Sequence, residues 1–158
     1  MPRRCTSLED LMTLQQWCEN AWLKRITPTG EEVAGLLSIA EREISDASLD
    51  GMSADGRLDR AYSAVRSLCD AALRASGFAA AKGTRQHERV IESLRFTLGD
   101  SWADDADYFD RCRRMRHGTL YDSAGTTRPE DARELLETAR RLHKAVREWL
   151  AQHHPDLT

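Results

Sequence analysis

The 158-residue sequence predicts an all-α fold, a helical bundle of five or six helices. Three observations predict it. Apolar residues recur at three- and four-residue spacing along most of the chain, while the period-two alternation of half-buried strands is nearly absent. Helix start signals stand before the apolar stripes: Thr29 with Glu32 and Thr127 with Glu130 have capping-box spacing, and Pro129 follows where a first turn tolerates a missing N–H. Hydrophobic residues make up 41% and charged residues 31%, the balance of a soluble globular chain long enough to bury its own core.

The first helix is expected from about Ser7 to Lys24, with Leu8, Leu11, Met12, Cys18, Ala21 and Trp22 on one face. The second starts at the Thr29 cap and carries Val33, Leu36, Leu37, Ala40 and Ile44. "SLDGMSADG" then reads as a turn-rich break. A third helix, about Arg57 to Ser76, presents Leu58, Ala61, Tyr62, Val65, Leu68, Cys69, Ala72 and Leu73, with Gly77 placed to end it. "FAAAKG" reads as a connector to a shorter helix over about Thr84 to Leu98, whose inward residues are Val90, Ile91, Leu94 and Leu98. The fifth helix begins near Ala103, and its core stripe is expected to be Tyr108, Cys112, Met115 and Thr119. After a loop, "DSAGTTRP", the last helix runs from about Arg128 to His153. Its pattern is the cleanest in the chain: Ala132, Leu135, Leu136, Ala139, Leu142, Val146, Trp149 and Leu150.

A net charge of −3 gives no global attraction for nucleic acid, so any such binding must come from a local patch. The basic N-terminus lacks the apolar segment of a signal peptide, and no stretch approaches a membrane span, so a cytoplasmic location is expected. Cys5, Cys18, Cys69 and Cys112 lie far apart without a C-x-x-C pair, which suits reduced, mostly packed thiols. No metal site and no cofactor are expected, and "QHHP" near the end reads as a frayed polar tail. His143 falls on the apolar side of the last helix as a packing residue, and Trp17, Trp22 and Trp149 read as structural.

The stretch that asks for chemistry is "RCRRMRHGTLYD", Arg111 to Asp122, which follows the acids Asp100, Asp104, Asp105, Asp107 and Asp110. On a helix, Asp110, Arg113, Arg114, His117 and Tyr121 share one side, with Arg116 at the flank beside Phe109. Part of this is ordinary helix electrostatics: acids lead, arginines follow, and Asp107–Arg111 and Asp110–Arg114 have ion-pair spacing. What exceeds it is two arginines, an imidazole and a phenol on one face. Arginine grips a phosphate with a bidentate fork, and an imidazole near neutrality can take a proton from a 2′-hydroxyl.

In order and spacing, "RLDRAYSAVRSLCDAALRASGF", "GTRQHERVIESLRFTLG" and "YFDRCRRMRHGTLYD" resemble the HEPN superfamily, above all its small prokaryotic members, over about Arg57 to Leu150. The resemblance implies a helical homodimer whose paired motifs share a cleft and which, in active members, cleaves RNA without a metal. The family motif is an arginine, a polar residue and a histidine five to seven positions beyond the arginine. Aligned on "RH", Arg116 is the arginine, His117 the polar residue, and Tyr121 occupies the histidine's place. Aligned on the histidine, Arg111 and His117 have the motif spacing. The first alignment is favoured because "RxRHxxxYD" resembles a branch of the family with asparagine at the His117 position. Arg116, His117 and Tyr121 are thus the catalytic candidates, and Arg111, Arg113, Arg114 and His87 the phosphate- or RNA-binding ones. His87 is marked by the resemblance, at the start of the helix before the motif.

Residues 1–56 are expected to supply N-terminal helices that complete the bundle, and residues 57–154 a HEPN-like core, in a single compact domain. The functional expectation is RNA or nucleotide-phosphate binding in a dimer cleft, with metal-independent endoribonuclease activity of toxin–antitoxin type as its catalytic form. The alternative is a non-catalytic interaction module that pairs with a nucleotidyltransferase-like, antitoxin or other partner.

Overall fold

The computed structural model describes residues 8–121 and 127–158, with side chains for residues 13–117 and 127–158. In chain order it contains α1 (Leu8–Glu19), β1 (Leu23–Arg25), α2 (Gly30–Ala47), α3 (Ala54–Ala75), β2 (Phe78–Ala80), α4 (Gln86–Glu92), α5 (Leu94–Thr97), α6 (Ala103–Tyr121) and α7 (Pro129–His153). Short 3-10 turns lie at Asp100–Trp102 and Pro155–Leu157. With α4 and α5 counted as one interrupted helix, six helices form the bundle among the described residues.

α3 is the axis of the fold. Twelve of its 22 residues are buried, so it must be covered on nearly every side. α2 and α7 pack along it most extensively, and α4 and α6 cover the remaining face. All eight apolar residues expected inward on α7 are buried, as are the eight expected on α3. Ser53 opens α3 by accepting a 3.0 Å hydrogen bond from the Gly56 amide. Arg57 ties this start to the end of α2, donating to the carbonyls of Ala47 and Leu49 at 2.8 Å each.

Several local expectations are corrected. α1 stops at Glu19, and Ala21 (φ 63°) turns the chain into β1, where the sequence suggested continuing helix. β1 pairs antiparallel with β2, Leu23 opposite Ala80 and Arg25 opposite Phe78, so "FAAAKG" supplies a strand. Gly77 (φ 94°), just after the Ser76 cap of α3, makes the reversal into β2 that an L side chain would resist. Trp22 is consequently on the surface, where the Arg89 guanidinium lies 4.4 Å above its ring. Thr29 does cap α2, accepting from the Glu32 amide at 3.2 Å. Thr127 does not cap α7: Pro129 holds the residue before it extended, so Arg128 is the N-cap and Pro129 the first helical residue. The C-terminal tail is not frayed, since Leu157 is buried and its carbonyl lies against Gly30. His143 is half-buried, with Nε2 3.0 Å from Glu41.

The core stripe of α6 is also corrected. Ala106, Phe109 and Cys112 face inward, Tyr108 is half-buried and Met115 is exposed. The helix is rotated so that Phe109, expected at the flank, is the deepest of its described side chains. The side chains of Leu8, Leu11, Met12, Thr119 and Tyr121, together with Cys5 and the expected loop over 122–126, lie outside the described residues. Among the described residues no helix is long and apolar enough to cross a membrane, and no three His, Cys, Asp or Glu side chains gather as a metal site.

Candidate phosphate-binding site

The rotation of α6 decides the site. Arg113 and Arg116 stand four and seven residues after Phe109, so burying its ring brings both arginines to the edge of the interface with α3. Arg116 crosses that interface. Its Nε donates to the Asp59 carboxylate, and its guanidinium lies 5.1 Å above the ring of Tyr62. Tyr62 is wholly buried, and its hydroxyl has no hydrogen-bond partner among the described residues. Burial pushes the phenol up to about 12, against the opposing pull of Arg66, Arg116 and Arg113, so it is a neutral support under the cation. On the outer side of α6, Asp110 receives Arg113 Nε at 2.9 Å and Arg114 Nε at 3.5 Å.

α4 contributes the imidazole of His87, whose Nε2 is 2.8 Å from Arg66 Nη1 on α3. A guanidinium can only donate, so Nε2 accepts, and the neutral ring carries its proton on Nδ1. A pocket of about 210 Å³ lies between the two helices. It is lined by Gly83, Thr84, Gln86 and His87 on one side and by Arg113, Arg116 and His117 on the other. Two guanidiniums and two imidazoles around so small a volume form an anion-binding arrangement.

The family model of the HEPN domain matches residues 33–149, from within α2 through nearly all of α7. The chain belongs to the HEPN domain family. No curated protein and no solved structure shows a significant match. The matched region includes every element that lines the pocket of this HEPN domain.

Of the residues singled out in the sequence, His87, Arg113, Arg116 and His117 meet at the pocket. Arg111 and Arg114 do not line it. Arg111 sits 5.7 Å from the ring of Tyr108, and Asp107 bonds Arg95 at 2.7 Å instead of Arg111. The side chain of Tyr121 is outside the described residues. Sequence reasoning missed Asp59 and Arg66 and took Tyr62 for an ordinary core residue. The available signal was their spacing, since Asp59, Tyr62 and Arg66 lie at i, i+3 and i+7 on one face of α3.

The cations give His87 a measurable signature. Burial first, then Arg66, Arg116 and Arg113, hold its imidazole below the usual histidine range. A phosphate in the pocket would offset those charges and lift the pKa again, so binding takes up a proton. If the pocket holds RNA, whose diesters stay ionised throughout, binding is expected to tighten as pH falls from about 7.5 to about 5.5. In His87→Gln that part of the dependence is lost. Fluorescence anisotropy of a labelled oligonucleotide reads it, and identical profiles for the two proteins reject the assignment.

Proposed function

We propose that this HEPN domain binds the phosphate groups of RNA or of a nucleotide in the pocket between α4 and α6. One observation carries the reading: Arg113, Arg116, His117 and His87, drawn from two different helices, line a single small pocket. Arg66 adds a third guanidinium at its edge through the bond to His87. HEPN domains commonly dimerise, and in a homodimer two such pockets would share one cleft. The catalytic form of the proposal is a metal-independent endoribonuclease of toxin–antitoxin type. His117 then serves as base, Arg116 as phosphate clamp and Tyr121 as hydrogen-bond donor.

Binding is tested before chemistry. Arg116→Ala is expected to weaken RNA binding by roughly tenfold or more, the scale of one lost charge-assisted hydrogen bond. Arg147→Ala removes a cation that pairs with Glu41 on another surface and should change affinity little. Wild-type affinity should also fall steeply with salt as phosphate contacts release counterions, with a shallower slope in Arg116→Ala. Equal losses at Arg116 and Arg147 would show diffuse electrostatics with no site.

A further inference from the structure

A groove of about 730 Å³ lies between α2, α7 and the turn at Pro155–Leu157, and it shares no lining residue with the phosphate pocket. The two helices run antiparallel along it. Glu41 meets His143 and Arg147 at one end, and Gly30, eleven residues earlier, lies against the Leu157 carbonyl at the other. Eleven residues of α-helix span roughly 16 Å. The C-terminal turn closes the second end. There the His154 N–H donates to the Leu150 carbonyl at 2.8 Å, and the Leu157 N–H to the His154 carbonyl at 2.9 Å. The walls are apolar, from Ala34 and Leu37 of α2, Leu150 of α7 and Leu157. A concave, largely apolar site of this volume suits a small organic molecule.

The charges at the two ends decide which kind. Arg147 is the one cation in the wall among the described residues, and the Glu41 carboxylate already holds it at 2.7 Å. Glu31 and Asp156, at the end closed by the turn, take part in no ion pair among the described residues. Burial holds the imidazole of His154, two residues before Asp156, below the usual histidine range, so at neutral pH it supplies no counter-charge. The N-terminus of α2 adds about half a positive charge, which two carboxylates exceed. This end of the groove is therefore net negative beside an apolar wall.

We infer that the groove binds an organic ammonium ion, its charged head between Glu31 and Asp156 and its apolar body along Ala34, Leu37 and Leu150. An anion meets only a cation that is already paired, and an uncharged ligand gains nothing from the two carboxylates. The ammonium head gains charge-assisted hydrogen bonds, each modest because the carboxylates are exposed. The body gains from leaving water in proportion to the apolar area it covers. The ligand class is thus a primary amine on an alkyl or aryl body no longer than about 16 Å. This site and the phosphate pocket are built from different residues, and neither reading depends on the other.

Calorimetry on the full chain tests this with octylammonium, octanoate and methylammonium. The first carries both features, the second the same body with the opposite charge, and the third the charge without the body. Octylammonium is expected to bind at least about tenfold better than either of the others. Replacing Glu31→Gln together with Asp156→Asn should weaken octylammonium about fivefold or more, the scale of two exposed ion pairs. Glu137→Gln, which removes an acid paired with Arg140 away from the groove, should change nothing. Ala34 is exposed on α2, so Ala34→Trp can fill the groove from its rim without disturbing the core. It should abolish octylammonium binding, and an unaltered melting temperature verifies the fold. Equal affinity for either of the other probes overturns the assignment, as does a loss in Glu137→Gln as large as in the double replacement. Binding that survives Ala34→Trp, or no octylammonium binding at millimolar concentration, overturns it as well, and each of these results leaves the phosphate pocket untouched.

Discussion

Phe109→Ala is expected to destabilise the domain by about 3–5 kcal/mol, the usual range for removing a large buried aromatic side chain. The reason lies in how little else anchors α6. Its buried residues among those described are Ala106, Phe109 and Cys112, and two of these are small. Phe109, with no exposed surface, is therefore the largest buried apolar side chain among the described residues of this helix. Domains of this size have about 5–15 kcal/mol of stability in all, so the loss is a large fraction of it. Met115→Ala, on the exposed side, should change stability by no more than about 0.5 kcal/mol. Urea unfolding followed by circular dichroism distinguishes the two. The orientation of α6 described above would be wrong if Met115→Ala proved the more damaging substitution. Because Arg113 and Arg116 are aimed by the same rotation, Phe109→Ala should also weaken the proposed RNA binding, even at temperatures where the protein remains folded.

The second large effect belongs to the proposed cleavage reaction. In EDTA the rate on RNA is expected to persist, and His117→Ala should lower it by about 10²-fold or more, as loss of a general base does. Tyr121→Phe should cost less, since a phenol with an ordinary pKa near 10 donates a hydrogen bond but seldom accepts a proton at neutral pH. Tyr121→His restores the arginine–polar–histidine motif read on Arg116 and is expected to raise activity. Single-turnover rates on a labelled oligonucleotide provide the measurement. Cleavage that survives the double replacement of His117 and Tyr121 by Ala would dismiss both from the chemistry. A domain that binds RNA through Arg116 without cleaving it would retain the binding function alone.

The long amphipathic helices were legible because their burial repeats over several turns. α7 has eight buried residues at helical spacing, and α3 has the same signal repeated around its circumference. β1 and β2 are only three residues each, too short for alternation to register, and β2 is buried at every position. α6 was misread in rotation because charged residues dominate it, so a single phenylalanine outweighs a methionine whose neighbours looked equally apolar. The pocket was half legible. The arginines and His117 form a local cluster, and the family resemblance marked His87, but Arg66 and Asp59 come from a helix some fifty residues earlier in the chain. Their proximity to Arg116 follows only from the packing of α3 against α6, which no local spacing encodes.

The Asp59–Arg116 bond means that any anion taken up at the proposed site would meet an arginine that is already paired. Arg116 is never a bare cation awaiting an anion, because a carboxylate already occupies its Nε edge. An incoming phosphate would either share the guanidinium from its other edge, leaving Asp59 in place, or displace Asp59, and only in the second case would the net gain be the difference between two anions. On displacement, carboxylates in solution would gain almost nothing, since they offer Arg116 what Asp59 already provides. A phosphate monoester, with three terminal oxygens and more charge, would gain more, whereas a phosphodiester of RNA has two free oxygens and one charge, like a carboxylate. In the displacement case the pair would favour a phosphate monoester over a carboxylate, and Asp59 would give the arginine back its counter-charge when the ligand leaves.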